Sequence, residues 1–65
     1  MDQELYHSTL KTMDEAGVSR AYYHGWVTGA LDNPALEEQR ITDAYTAGYE
    51  HGKEGVLDGY KDWIE

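Results

Sequence analysis

Cysteine is absent from this chain of 65 residues, so disulfide bonds and thiolate metal sites are excluded. A domain this small buries a modest fraction of the surface that its unfolded chain exposes, and it needs a further source of stability. We expect that source to be self-association into a homodimer or unusually tight packing between helices.

Basic residues are also scarce: 5 Lys and Arg stand against 13 Asp and Glu, which gives a formal net charge of -8. A protein with this charge repels nucleic-acid phosphates and anionic membrane surfaces. We therefore expect no direct nucleic-acid or membrane partner. A basic surface on another protein is the expected binding partner.

Long apolar runs are missing too. No stretch approaches the roughly 18 apolar residues that a membrane span requires. Residues 1–7 lack the basic and apolar segments of a secretory signal. The sequence therefore predicts a cytoplasmic protein, which would act in the cytoplasm of the host cell if a phage encodes it.

What the chain does contain is an internal repeat. Residues 18–29 and 41–52 both read apolar, Ser/Thr, any, Ala, Tyr, any two, Gly, Trp/Tyr, any two, Gly, with a constant offset of 41 − 18 = 23. The shared positions follow the i, i+3, i+4, i+7, i+8, i+11 spacing of one helix face. Each copy thus predicts a helix that carries a strip of small residues: Ala21, Gly25 and Gly29 in the first copy, and Ala44, Gly48 and Gly52 in the second.

The glycines of these strips indicate close helix packing. A glycine inside a helix costs about 1 kcal/mol relative to alanine, and a chain with 7 glycines needs compensation for that loss. Strips of small residues let two helix backbones approach each other, so we expect the two copies to pack together with neighbouring aromatic side chains closing over the contact. The alternative is that one strip stays open and receives the helix or backbone of a partner.

The apolar spacing predicts an all-α fold of three or four helices in a single domain over residues 1–65. Gly17 is expected to end the first helix in the left-handed conformation, and the Ser19 side chain to cap the second. A break near Gly55 is favoured over one continuous helix, because several glycines close together make such a helix expensive. The predicted helices cover approximately residues 2–16, 20–31, 34–52 and 56–64.

The connection between the second and third helices sets their orientation. Asp32-Asn33-Pro34 ends one helix, and Pro34 suits the first turn of the next. Because this loop is short, the two helices that carry the repeat are expected to be antiparallel neighbours. A later start of the third helix at Thr42, the position equivalent to Ser19, is the alternative.

Residues 44–55, which begin inside the second copy of the repeat and extend three residues beyond it, read Ala-x-x-x-Gly-Tyr-x-x-Gly-x-x-Gly. This pattern resembles a helix of the ribosome modulation factor family. Gly25-Trp26 is similar to the Gly-Trp pair of that family's other helix. The resemblance implies a small helical protein that binds ribosomal RNA and supports ribosome hibernation. Family members are strongly basic, whereas this chain is acidic, so contact with a ribosomal protein is the version that its charge allows. The matching positions are Ala44, Gly48, Tyr49, Gly52 and Gly55.

The sequence contains no grouping of nucleophile, base and acid that would indicate an enzyme, and no cofactor is expected. Glu4 and His7 have the Glu-x-x-His spacing found in carboxylate-bridged dimetal bundles. Ordinary solvent-exposed side chains are the simpler interpretation, as they are for His24 and His51. A metal site would need further carboxylates within a dimer, for which the candidates are Glu37, Glu38, Glu50 and Glu54.

Acidic residues recur through the C-terminal half at helical spacing, so one continuous helix would carry them as a single row. A regular row of carboxylates can imitate a row of phosphates to a protein that binds nucleic acid. The alternative is a solvated face that maintains solubility. The members of the row are Asp43, Glu50, Glu54, Asp58, Asp62 and Glu65.

We therefore expect a non-enzymatic interaction module that inhibits another protein by occupying its basic nucleic-acid-binding surface. Small acidic proteins of this kind are typical of phage-encoded anti-CRISPR and anti-restriction inhibitors. A ribosome-associated factor and a metal- or ligand-binding helical dimer are the alternatives. The expected contact residues are the carboxylates Asp43, Glu50, Glu54, Asp58 and Asp62, with the aromatic side chains Trp26, Tyr49, Tyr60 and Trp63 as anchors.

Overall fold

The computed structural model describes residues 2–32 and 42–65, and it confirms the all-α fold class. The β-type pairing among these residues is one isolated bridge between Val18 and Ile64. Within the same residues, no helix is long and apolar enough to cross a membrane. The helices are α1 over Gln3–Ala16, α2 over Arg20–Ala30, α3 over Asp43–Glu54, and a 3₁₀ helix over Gly59–Trp63.

Helix α1 ends where the sequence predicts. Asp2 caps its N-terminus by accepting a hydrogen bond from the Glu4 backbone N–H at 3.2 Å. Gly17 ends it in the left-handed conformation at φ 73°, where a side chain would be strained. Ser19 stands at the start of α2, but its side chain makes no capping hydrogen bond, so that part of the prediction is wrong. Its backbone N–H instead holds the C-terminal segment by donating to the Trp63 carbonyl at 2.8 Å.

Helix α3 begins at Asp43, as the alternative start predicts. Thr42 has an extended backbone, and its hydroxyl accepts a hydrogen bond from the Tyr45 N–H at 3.1 Å. A continuous helix over residues 34–52 is therefore wrong, because Thr42 lies outside any helix and caps the next one. The first part of that predicted helix falls in residues 33–41, which lie outside the described residues.

The chain breaks at Gly55, as predicted, in the left-handed conformation at φ 76°. The α-helix predicted over residues 56–64 is wrong, since only the 3₁₀ helix forms there. A long-range hydrogen bond explains the difference: the Trp26 indole N–H donates to the Val56 carbonyl at 2.9 Å. The segment is thus positioned by contacts with α2 rather than by a helical ladder of its own.

Helices α2 and α3 pack backbone against backbone. A Cβ added at Gly25 would overlap the carbonyl oxygen of Tyr45, and one added at Gly29 would overlap the carbonyl oxygen of Tyr49. Both positions advance by four residues in the same direction. The two helices therefore run parallel.

The glycines of α3 contact the backbone of α2 in the same order. A Cβ at Gly48 would overlap the Tyr22 carbonyl oxygen, and one at Gly52 would overlap that of Trp26. The contact of Gly48 with Tyr22 is the contact of Gly25 with Tyr45 after the two repeat copies are exchanged, since equivalent residues differ by 23. A local twofold axis parallel to the helices therefore relates the two copies. We refer to the contacts of Gly25, Gly29, Gly48 and Gly52 as the glycine seam.

The parallel orientation overturns the predicted antiparallel pair. That prediction assumed a short loop, whereas residues 31–42 separate the two helices. A helix of 11 residues is about 16 Å long. A dozen residues can reach about 40 Å when extended, so the connection is long enough to return to the N-terminal end of the pair.

The core lies where α1 crosses the pair. Met13, Tyr22 and Trp26 form its buried cluster and are each no more than 1% exposed. Tyr6 of α1 stacks on Trp26 with 5.8 Å between the ring centroids. Helix α1 therefore shields the tryptophan from solvent.

The C-terminal segment runs back along α2. Beyond the hydrogen bond to Trp26, the Trp63 ring stacks on Tyr22 with 6.2 Å between the ring centroids, and Ile64 pairs with Val18. The contacts step backward along α2 while the chain moves forward. The segment is therefore antiparallel to both helices of the pair.

Candidate functional site

Three of the predicted contact carboxylates lie on one face of α3. Asp43, Glu50 and Glu54 are all exposed. They are seven and four residues apart, which places them on the same side of the helix with rises of about 10 Å and 6 Å. Helix α3 therefore presents a row of three negative charges to solvent.

The remaining carboxylates do not continue that row. Asp58, Asp62 and Glu65 are exposed, but they lie beyond the reversal at Gly55. The single straight row predicted from sequence is therefore wrong, because the C-terminal segment turns back instead of extending α3. Together the two rows form what we call the acidic surface: Asp43, Glu50, Glu54, Asp58, Asp62 and Glu65.

The two rows are neighbours because the C-terminal segment packs on His51 of α3. A Cβ added at Gly59 would overlap the His51 ring, so glycine is needed for this approach. Glu54 follows His51 by three residues and therefore lies beside it on the helix surface. Asp58 immediately precedes Gly59, so the two rows approach each other near His51.

Beneath this junction lies a buried polar contact. The Tyr22 hydroxyl and the His51 Nδ1 are 2.7 Å apart, and Tyr22 is 0% exposed. Burial, together with the nearby carboxylates of Asp58 and Asp62, raises the pKa of Tyr22 to about 12. The negative field of the C-terminal row therefore extends into the core.

The predicted aromatic anchors are largely used inside the fold. Trp26 is 1% exposed, so its assignment as a partner contact is wrong: its ring fills the core and its N–H is bonded internally. Tyr60 and Trp63 are half-buried and pack against the core cluster. Tyr49 is half-buried, with the Lys53 ammonium 5.8 Å from its ring centroid. Any aromatic contact with a partner would therefore involve the half-buried rings of Tyr49, Tyr60 and Trp63.

Both small-residue strips face each other within the chain. The four glycines of the seam are buried. Ala21 and Ala44 are half-buried at the N-terminal ends of their strips. The alternative in which one strip stays open for a partner is therefore wrong, because each strip is covered by the other.

The Glu4 and His7 side chains are exposed on α1. Across residues 2–32 and 42–65, no group of three or more His, Asp or Glu side chains is placed to hold a metal ion. Two of the further carboxylates considered for a dimetal site, Glu37 and Glu38, lie outside the described residues. His24 packs edge-on against Tyr45 at 5.7 Å between ring centroids.

Sequence reasoning missed the contact between Tyr22 and His51. The two residues are 29 positions apart, and His51 does not recur at the equivalent place in the first repeat. The contact depends on the parallel orientation of α2 and α3. No local pattern could therefore reveal it.

Comparison with protein-family models, with curated proteins and with solved structures found no significant match to this chain.

Proposed function

We propose that this protein is a non-enzymatic acidic module that inhibits a nucleic-acid-binding protein by occupying its basic surface. The observation that carries the proposal is the acidic surface, whose six carboxylates are all exposed. Three of them lie on α3, and the other three lie on the C-terminal segment, which packs against α3 at His51. Exposed carboxylates on neighbouring segments can imitate the phosphates of a nucleic acid to a protein that binds it. A basic groove that holds phosphates is thus a suitable partner.

The charge of the whole chain supports the same partner. A net charge of -8 on 65 residues steers a basic protein toward the acidic surface and repels competing nucleic acid from it. Attraction between exposed charges is screened by salt, with a Debye length of about 8 Å at physiological ionic strength. Binding is therefore expected to weaken as salt is added.

The interior of the protein supports binding rather than catalysis. The titratable pair at the junction of the rows includes Tyr22, which is 0% exposed, so its phenol has no access to an external substrate. The glycines and Trp26 are used to hold the helices together. Unlike these residues, the carboxylates of the acidic surface are exposed and can contact a partner.

Partner capture at low salt, followed by competition, tests the proposal. A protein that is captured from the native cell is purified and titrated with the wild type in the presence of saturating DNA or RNA. The proposal predicts that nucleic acid displaces the inhibitor from the partner. A partner that binds equally well in saturating nucleic acid would exclude this function.

Charge reversal on the acidic surface adds a matched control. Glu54→Lys combined with Asp58→Lys is expected to lower partner affinity at least tenfold at low salt, on the order of 1.4 kcal/mol. Asp14→Lys combined with Glu15→Lys changes the net charge equally on exposed positions of α1. Equal losses in both variants would show that only net charge matters and that the acidic surface is not the contact.

A ribosome-associated factor that contacts a ribosomal protein is the second candidate. It is favoured by one observation: the Gly25-Trp26 and Gly48-Tyr49 pairs that carry the resemblance to ribosome modulation factors lie on facing helices of the seam. Co-sedimentation with ribosomes in a sucrose gradient would support it. Sedimentation at the top of the gradient under the same conditions would oppose it.

A further inference from the structure

A groove of about 300 Å³ lies where the start of α1 meets the end of α3. Its walls combine apolar and charged side chains. We call it the leucine groove, and its lining includes Asp2, Leu5, Ala30, Lys53, Glu54 and Leu57.

Two leucines line this groove while still reaching solvent. Leu5 is 48% exposed and Leu57 is 36% exposed. A single exposed leucine is ordinary in a small protein. Two leucines on opposite elements that line one concavity form an apolar surface that another side chain can fill.

The charges at the rim favour a basic occupant. Asp2 and Glu54 are exposed carboxylates, and Glu54 also belongs to the acidic surface, so the leucine groove and the acidic surface are continuous. The one basic side chain among the lining residues is Lys53, whose ammonium group lies 5.8 Å from the Tyr49 ring centroid. The lining thus carries two carboxylates against one ammonium group, so the rim is acidic on balance.

We propose that the leucine groove binds an aliphatic side chain of the partner, carried on a segment that has Lys or Arg beside it. This proposal rests on the proposed function. It adds the contact by which the protein would distinguish its partner from other proteins with a basic surface. Charge pairs mainly accelerate the encounter, whereas apolar burial slows dissociation. A phosphate chain has no aliphatic group to offer or receive at this place, so the groove would give the inhibitor an advantage over nucleic acid.

Two synthetic peptides of equal length and charge serve as probes. One carries Leu at i, i+3 and i+4 positions among Lys residues, and the other carries Gln in place of each Leu. Their affinities are measured by fluorescence anisotropy against the wild type, against Leu5→Gln combined with Leu57→Gln, and against Ile64→Gln. Ile64 is the matched control, because it is 49% exposed and lies beside Val18, at the far end of α1 from Leu5. Circular dichroism establishes that each variant folds, and the single leucine variants replace the double one if it does not.

The wild type is expected to bind the Leu peptide about tenfold more tightly than the Gln peptide, as burial of one leucine predicts. The double leucine variant should lose that preference and still bind the Gln peptide, while Ile64→Gln keeps the preference. Equal affinity of the wild type for both peptides, or a preference that survives the double substitution, would show that the leucine groove does not bind an aliphatic side chain. Binding of neither peptide at low salt would contradict the acidic-surface function itself, so the two failures are distinguishable.

Discussion

Gly48 lies so close to the backbone of Tyr22 that a Cβ on Gly48 would overlap the Tyr22 carbonyl oxygen. Such an approach is open only to glycine, and it permits Cα–H···O contacts between the helices. The same relationship recurs at each glycine of the seam. The stability of the α2–α3 pair therefore depends on the absence of four side chains.

Replacing Gly48 by alanine tests this dependence. Gly48→Ala is expected to lower the free energy of unfolding by about 3 kcal/mol, because the added methyl group meets backbone that cannot move aside, and Gly48→Leu should abolish folding. Urea denaturation measures the change. Thr46→Ala on the exposed side of α3 is the control, with an expected change within about 0.5 kcal/mol. A change that small for Gly48→Ala would show that the glycine does not pack against α2.

Gly55 supports a second and different prediction. A Cβ at Gly55 has no atom within 4 Å, but the residue adopts φ 76°, where a side chain clashes with its own backbone. Gly55→Ala should therefore cost about 1 kcal/mol, and Gly55→Asn less, because Asn tolerates this conformation better. Thermal unfolding of the two variants gives the comparison. A higher melting temperature for Gly55→Ala would contradict the left-handed cap.

The buried phenol of Tyr22 predicts a loss of stability at high pH. Its pKa is raised above the ordinary value of 10.0 to about 12, so the folded state keeps a proton that the unfolded chain releases. The contribution of this protonated phenol to the free energy of unfolding is fully present below pH 10 and is lost as the pH rises toward 12. The free energy of unfolding, measured by urea titration between pH 9 and 12, should fall mainly between pH 10 and about 12.

Tyr22→Phe is the control for this pH dependence. It removes the group that titrates and also the hydrogen bond to His51, which is worth about 1 kcal/mol. The variant should be less stable at neutral pH and should show a shallower decline above pH 10. An identical decline in both proteins would assign the alkaline transition to other groups.

Replacing the buried Trp26 by a smaller aromatic residue should lower the stability of the protein. Trp26→Phe removes the donor to the Val56 carbonyl and leaves a gap beside Tyr6, so the free energy of unfolding should fall by about 3 kcal/mol. Trp63→Phe provides the comparison, because that ring is only half-buried and should cost less. Chemical denaturation with tyrosine emission as the signal measures both. A larger loss for Trp63→Phe would mean that the core is centred elsewhere.

The small-residue strips were predictable because spacing by four residues is visible in a sequence without knowledge of any partner. The orientation of the pair was not, since a strip of the form Ala-x-x-x-Gly-x-x-x-Gly offers a smooth face in either direction. The useful signal was Thr42, which repeats the position of Ser19 and places the start of α3 late enough for a parallel return.

The C-terminal segment shows where local patterns stop being informative. Val56, Tyr60 and Trp63 keep helical spacing in sequence, but a left-handed Gly55 and a hydrogen bond from Trp26 decide their conformation. For the same reason the acidic residues form two rows instead of one. Long-range contacts of this kind leave no trace in spacing.

Nuclear Overhauser contacts across the glycine seam are the most direct test of the parallel α2–α3 pair, because they report both the closeness and the direction of the two helices. A parallel pair is expected to give cross-peaks from the Gly25 Hα protons to Tyr45 and from the Gly52 Hα protons to Trp26. Cross-peaks that join Ala21 to Gly52 and Gly29 to Ala44 instead, as an antiparallel pair would give, or an absence of any contact between the two helices at Gly25, would contradict the parallel seam.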